Sequence, residues 1–296
     1  LLNGRRRNLE TFTPTSQKFG RSLGGLLLLP FVMDCPKQWN IIDNILLNTG
    51  EGVAVANEDL SRFQNLTFEG FRQLAADEKL SRYEKIGFPD TYRAGFEGAI
   101  LQDVLTKAQS LNGNGKIVLD IGAGCSELPV MLGSYCEQHS HSLFLIDSPE
   151  MLALLPDMAG TEKLPGYFPA DFASFLQNYA QRIDFILVYS VIQYVFAEGN
   201  VFDFLDKALS LLSDGGVLLI GDIPNISKRK RFFASRRGVL SHQRYMQTSE
   251  TPVVQFNNPE PGLIDDAVLM GLLMRCRSQG FDAYVVPQAP ALPMSN

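Results

Sequence analysis

From Lys116 onward, short apolar runs alternate with stretches whose apolar residues recur every three or four positions. The runs cover 117–121, 143–146, 167–170, 185–189, 217–221 and 283–287, and each has the length of a strand buried on both faces. Helical spacing fills the gaps: Leu128, Met131, Leu132 and Tyr135 after Ser126, then 149–156, then Phe202, Leu205, Ala208, Leu209 and Leu212, then 265–279. Such alternation predicts an α/β fold, a doubly wound and mostly parallel sheet with helices on both faces.

The first part of the chain reads differently. Residues 1–25 are polar and basic, as a loosely held arm would be, and 26–33 suits either a strand or a hydrophobic plug. Trp39, Ile42, Ile45 and Leu46 predict a helix, and 59–76 predicts one or two more. We therefore divide the chain into an N-terminal arm and small helical extension, 1–82, and an α/β domain, 83–296, with a polar, proline-bearing insertion at 227–262. No internal repeat or low-complexity tract interrupts this plan.

Candidate chemistry concentrates at the first strand. Ile117–Ile121 is followed at once by Gly122, Ala123 and Gly124, and Ser126 is a good N-cap for the helix after them. Strand, glycine turn and helix together make a nucleotide-binding turn, because glycine lets the backbone approach a ligand closely. A dinucleotide turn would carry a third glycine where Glu127 stands, and that charge opposes a pyrophosphate. A second acid, Asp147, closes the next strand, about 20 residues past the glycines, where a carboxylate can bond both ribose hydroxyls. It can equally belong to the start of the helix that Ser148-Pro149-Glu150 opens.

Asp120-x-Gly122-x-Gly124, with Asp147 in register, resembles the first motifs of the class I S-adenosylmethionine-dependent methyltransferases. Ser126 stands where that family usually has another glycine, and the resemblance runs from about Tyr83 to the C-terminus. It implies a Rossmann-like methyltransferase sheet and S-adenosylmethionine as cofactor, held around Asp120, Gly122, Ala123, Gly124, Asp147 and Ser148. It further implies that Asp171 and Phe172 meet the adenine, unless Asp171 is simply a helix N-cap. Arg93, just before the first strand, would pair with the methionine carboxylate or else sit at a helix surface. Leu-Ser-Asp-Gly-Gly at 212–216, before an apolar strand, matches the family too. The family's seventh, antiparallel strand has no counterpart here: either it lies beyond Asn296 or it is absent.

Methyl transfer from a sulfonium needs alignment, and a base only if the nucleophile carries a proton. Asp222 and His242 are the candidate bases. Tyr189, at the end of the fourth domain strand, is expected at the cofactor, and Gln193 and Tyr194 at the substrate. Lys228, Arg229, Lys230, Arg231, Arg236 and Arg237 form a basic run with Phe232 and Phe233 inside it. The run is either a solvated helix face or a cover whose Arg229 and Arg231 attract an acidic substrate. The expected activity is methyl transfer to a small polar or acidic metabolite, with a sugar among the options. A nicotinamide-dependent oxidoreductase and a non-catalytic methyltransferase-like binding module are the alternatives.

Composition narrows the partners. A hydrophobic share of 45%, a charged share of 20% and a net charge of -6 describe an ordinary globular chain with no bulk attraction for nucleic acid. The four cysteines are far apart and contain no C-x-x-C pair, which predicts free thiols in a reducing compartment. His139 and His141 lack an acid cluster, so no metal site is expected, and no G-x-S-x-G nucleophile turn is present. No run approaches a membrane span, and the interrupted apolar run after Arg5–Arg7 makes a poor signal peptide. The expectation is a cytoplasmic protein with a small-molecule substrate, with homo-oligomer formation left open. The chain opens on Leu1 rather than Met, as a piece of something longer would.

Overall fold

The computed structural model describes residues 25–31 (as backbone), 63, 66–290 and 292. Of the expected arm at 1–25, residues 1–24 lie outside the described residues, as does the helix at 39–47. The described strands are β1 (Gly25–Phe31), β2 (Ile117–Ile121), β3 (Ser142–Asp147), β4 (Thr161–Pro165), β5 (Ile183–Tyr189), β6 (Leu212–Pro224) and β7 (Asp282–Val285). They form one seven-stranded sheet in the order β4-β3-β2-β5-β6-β1-β7, and every pairing is parallel. The doubly wound α/β architecture expected from the alternation is present.

The sheet is covered on both faces because its central strands are apolar on both faces. Leu119, Ile121, Ile186, Val188, Leu218 and Ile220 pack with Phe204, Leu205, Leu269 and Leu272 of helices Val201–Leu211 and Asp266–Ser278. Their neighbours Val118, Leu143, Leu145, Phe185 and Leu187 pack with Ile100, Val104, Leu128 and Leu132 of helices Glu97–Lys107 and Glu127–Gln138. Here local pattern and tertiary burial agree.

Two expectations need correction. The strand expected at 167–170 is instead Thr161–Pro165, which pairs with β3 alone and forms the sheet's edge. Its Thr-Glu-Lys-Leu-Pro sequence is only partly buried, so it carries no continuous apolar run to read. β6 extends from Leu212 to Pro224 and absorbs Asp214-Gly215-Gly216, expected to be only a helix stop. A Cβ at Gly216 would stand 2.8 Å from the Ile183 carbonyl oxygen, so only glycine fits that irregular pairing.

No antiparallel strand occurs among the described residues, and β1, from the other end of the chain, is inserted parallel between β6 and β7. The open reading of 26–33, strand or plug, resolves to a strand over its described residues, within Gly25–Phe31. The insertion also means that β6 and β7 never pair directly, and that residues 1–82 supply part of the sheet as well as helix.

An interior strand cannot lose its ladder donors cheaply. Leu27→Pro should therefore lower unfolding stability by roughly 1–3 kcal/mol, the cost of one lost ladder N–H whose buried acceptor is left unsatisfied. Hydrogen exchange should speed up at β6 amides along 217–220. Unchanged protection there would show that β1 does not hold this slot.

Candidate functional site

At the carboxyl ends of β2, β3 and β5 lies a cleft of about 1000 Å³, counting the space open to solvent. Its floor is the turn that follows β2. Gly122 and Gly124 hold φ of 76° and 68°, a region that side chains other than glycine rarely adopt. Added Cβ atoms there would stand 2.5 Å from Val191 and 2.8 Å from Ile86, so the turn is also closely packed from both sides.

The turn is held by Asp147 at the end of β3. One carboxylate oxygen accepts the Gly124 N–H at 2.7 Å and the other accepts the Ser148 N–H at 2.6 Å. Each oxygen keeps a further lone pair for a ligand hydroxyl. Burial pushes the Asp147 carboxyl up to about 6, against the pull of these two N–H groups. Asp120, 3% exposed, is pushed up to about 8 by burial and by the nearby Asp147 charge. Two acids this close, around glycines and without a lysine in the cleft wall, make a site for a cation or for hydroxyls.

The cleft has an aromatic roof that the sequence reading missed. Helix Phe68–Ala76 supplies Phe68 and Phe71, and the following turns supply Ile86, Phe88 and Arg93. Phe71 meets Tyr194 edge-on at 4.8 Å and Phe68 meets Tyr167 edge-on at 4.9 Å, across the cleft. Arg72 clamps the roof to helix Pro149–Ala153 through both carboxylate oxygens of Glu150, at 2.9 and 2.6 Å. Lys85, buried, donates to the Ala75 and Asp77 carbonyls and joins the roof's segments. No motif marks these residues. Their apolar spacing resembles that of any core helix.

Of the residues singled out from sequence, Arg93, Asp120, Gly122, Ala123, Gly124, Asp147, Tyr189 and Tyr194 line the cleft. The others do not. Ser148 is a buried N-cap, its hydroxyl accepting the Met151 N–H. Asp171 is exposed and accepts the Tyr167 N–H, while Phe172 packs into the sheet core. The wall expected from that pair is formed instead by Gly166, Tyr167 and Phe168, because the strand before it ends earlier than expected. Gln193 donates to the Ser190 carbonyl beside the cleft. Asp222 is 2% exposed and sits behind Ser190, whose hydroxyl donates to it.

The basic run, read either as a solvated helix face or as a cover over the substrate, lies in helices away from the cleft wall. It forms helices Ile226–Phe233 and Arg236–Tyr245, and none of its described residues lines the cleft. Arg231 is paired with Asp266, Lys230 with Glu260 at 2.8 Å, and Arg229 is buried, with its guanidinium pushed down to about 10 by that burial. His242, on the second helix, lies with its ring centre 6.3 Å from that of Phe233 and outside the cleft wall. Local acids thus pair with Lys230 and Arg231.

Arg93 has a crowded setting. Its guanidinium lies 5.4 Å from the Phe88 ring centre and 5.2 Å from that of Tyr189. It stands 3.5 Å from a Glu97 carboxylate oxygen and 3.7 Å from one of Asp222. Glu97, 1% exposed, is pushed above the usual carboxylate range by burial. Among the described residues no group of three or more potential metal ligands occurs, and no helix is long and apolar enough to cross a membrane.

No family model matches the chain. Over 175 residues it is 28% identical to a probable non-canonical nonribosomal peptide synthetase, CymA, of Salinispora arenicola (strain CNS-205). That match covers 58% of this chain and 2% of the synthetase, so the chain spans a small fraction of the relative's length. Similar solved structures include the plantazolicin methyltransferase BpumL in complex with SAH, 14% identical, TM-score 0.44, covering 72% of this chain and 77% of that one. CalO1, a methyltransferase in calicheamicin biosynthesis, is 14% identical with TM-score 0.34, covering 72% and 63%. The complex of the Haloferax volcanii Trm112 methyltransferase activator with a putative methyltransferase gives 16% identity and TM-score 0.40, covering 68% and 73%.

Asp120 and Asp147 bind protons more tightly in the folded chain than in the unfolded one. Their contribution to stability is therefore full below about pH 4 and is lost as pH rises through about 6 and then about 8. In the ligand-free protein, denaturant midpoints should fall from pH 5 to pH 8, by at most about 1.4 kcal/mol per pH unit for each acid. Asp120→Asn should flatten the upper half of that slope. An unchanged slope would place the titrating group elsewhere.

Proposed function

We propose that the chain binds S-adenosylmethionine in this cleft and transfers its methyl group to a small acceptor. The observation that carries the reading is Asp147 tied to Gly124, with Asp120 beside it, at the open end of a parallel sheet. Asp147 would take the ribose hydroxyls, the Gly122–Gly124 backbone would meet the amino acid part, and Asp120 would face its positive charges. Arg93 and Tyr189 would flank the carboxylate. Tyr167 and Phe168, in place of Asp171 and Phe172, would bound the adenine. A pyrophosphate fits poorly beside Asp120, Asp147 and Glu127, which weighs against a nicotinamide dinucleotide.

The bound sulfonium supplies an activated methyl. The chain's residues then orient the acceptor, keep water out under the Phe68–Phe71 roof, and hold the acceptor's proton. Asp147 and Glu198 outnumber the single cation of the cleft wall, Arg93, which itself lies beside Glu97 and Asp222, so we favour a neutral or cationic acceptor over an acidic one. The similarity to part of a peptide synthetase supports an amine or hydroxyl on a peptide-derived compound as well as a small polar metabolite.

Calorimetry should show saturable binding of S-adenosylmethionine and of its demethylated product. Asp147→Ala should weaken both by about 30- to 1,000-fold, since two hydrogen bonds to a charged acceptor contribute roughly 2–4 kcal/mol together. A folded protein giving no heat with either ligand would sink the proposal. Incubating the chain with methyl-labelled cofactor and a cell extract should put label into a low-molecular-weight product. Binding without any transfer would instead favour a non-catalytic binding module.

A further inference from the structure

Ser190 follows the last residue of β5, and Asp222 lies beside it near the carboxyl end of the neighbouring strand β6. Tyr189 pairs with Gly221, and the Ser190 N–H donates to the Gly221 carbonyl at 3.0 Å. Both residues hold a left-handed backbone, with φ of 59° and 57°, which costs a non-glycine residue about 1 kcal/mol or more. Two adjacent strained residues fix one contact, the Ser190 hydroxyl donating to Asp222 Oδ2. Ser190 lines the cleft and Asp222 does not. The hydroxyl has a single proton and gives it to Asp222, so its lone pairs remain for a donor in the cleft. Asp222 Oδ1 is buried and has no hydrogen-bond partner, so the carboxylate retains capacity to take up a proton.

We propose that Ser190 and Asp222 form a two-step proton path that serves the methyl transfer described above. The acceptor's X–H bond breaks as its proton moves to Ser190 Oγ, and the Ser190 proton moves to Asp222 Oδ2. The electron pair left on X forms the bond to the methyl carbon, and the carbon–sulfur pair returns to sulfur, which becomes a neutral thioether. Asp222 later releases the proton to solvent. Charge and atoms balance without a co-reactant. Asp222 acts through Ser190 and is a positioning and proton-storing residue, while Ser190 is the group that meets the acceptor. The charged or titratable groups facing Asp222 are Arg93, 3.7 Å away, Tyr189 and Tyr194, with Glu97 behind Arg93. Arg93 favours the carboxylate and burial opposes it, leaving the carboxyl above the usual range and suited to receive a proton.

The path rests on the cofactor reading, and its test separates the two. Infrared spectroscopy of the full chain can follow the carbonyl band of protonated Asp222 through a pH titration, with Asp222→Asn identifying the band. The titration is run with S-adenosylmethionine bound and again with its demethylated product, which differ by one methyl and the sulfonium charge. A carboxyl coupled to the reacting atoms should lose its proton at a pH lower by about half a unit in the charged complex. Ser190→Ala should raise the midpoint, because a hydrogen bond to the charged form is lost, and should keep cofactor affinity within about threefold. It also identifies the band if Asp222→Asn fails to fold. At saturating cofactor, label transfer into the extract should drop at least about tenfold in Ser190→Ala. Equal midpoints with both ligands demonstrably bound, or undiminished transfer in Ser190→Ala, would overturn the path. Failure of both ligands to bind would overturn the cofactor reading, and the path with it.

Discussion

The site depends on one carboxylate. Asp147 takes the Gly124 N–H on one oxygen and the Ser148 N–H on the other, so the end of β3, the glycine turn after β2 and the start of helix Pro149–Ala153 are fixed together. Hydrogen bonds to a charged acceptor contribute about 1.5–3 kcal/mol each, enough to hold a turn whose two glycines both sit at positive φ. The arrangement places an acid where a ligand approaches, and desolvation raises its proton affinity as a consequence. The same helix carries Glu150, which Arg72 grips from the roof. Floor and roof of the cleft thus meet within four residues of the chain.

Charge in this protein is largely settled locally. In the basic run that stands out in an acidic sequence, Lys230 pairs with Glu260 and Arg231 with Asp266. Arg93, the cation in the cleft wall, is bracketed by Glu97 and Asp222 and by two aromatic rings. The cleft therefore presents acids and π faces, a combination that suits a sulfonium better than a phosphate. A strained Ser190–Asp222 pair at the same edge adds a polar group that the sheet itself does not need.

What the sequence determined by itself was whatever follows from period and from backbone chemistry. β2, β3 and β5 are legible because strands buried on both faces must be apolar throughout. The glycine turn is legible because close backbone approach restricts the residue to glycine, and Asp147 is legible because it closes β3 in register with that turn. Only the tertiary structure could decide the rest. β4 is a sheet edge, half exposed, so its pattern never had to be apolar. The place of β1 between β6 and β7 depends on pairings across more than 180 positions of sequence, to which no local period is sensitive. The roof residues Phe68 and Phe71 look like any buried helix face until Tyr167 and Tyr194 are found opposite them. Asp222 could be read as a base facing a ligand, yet the left-handed turns set Ser190 in front of it. Which side chain meets the cleft is fixed by backbone dihedrals just after β5 and within β6, and neither residue type announces them.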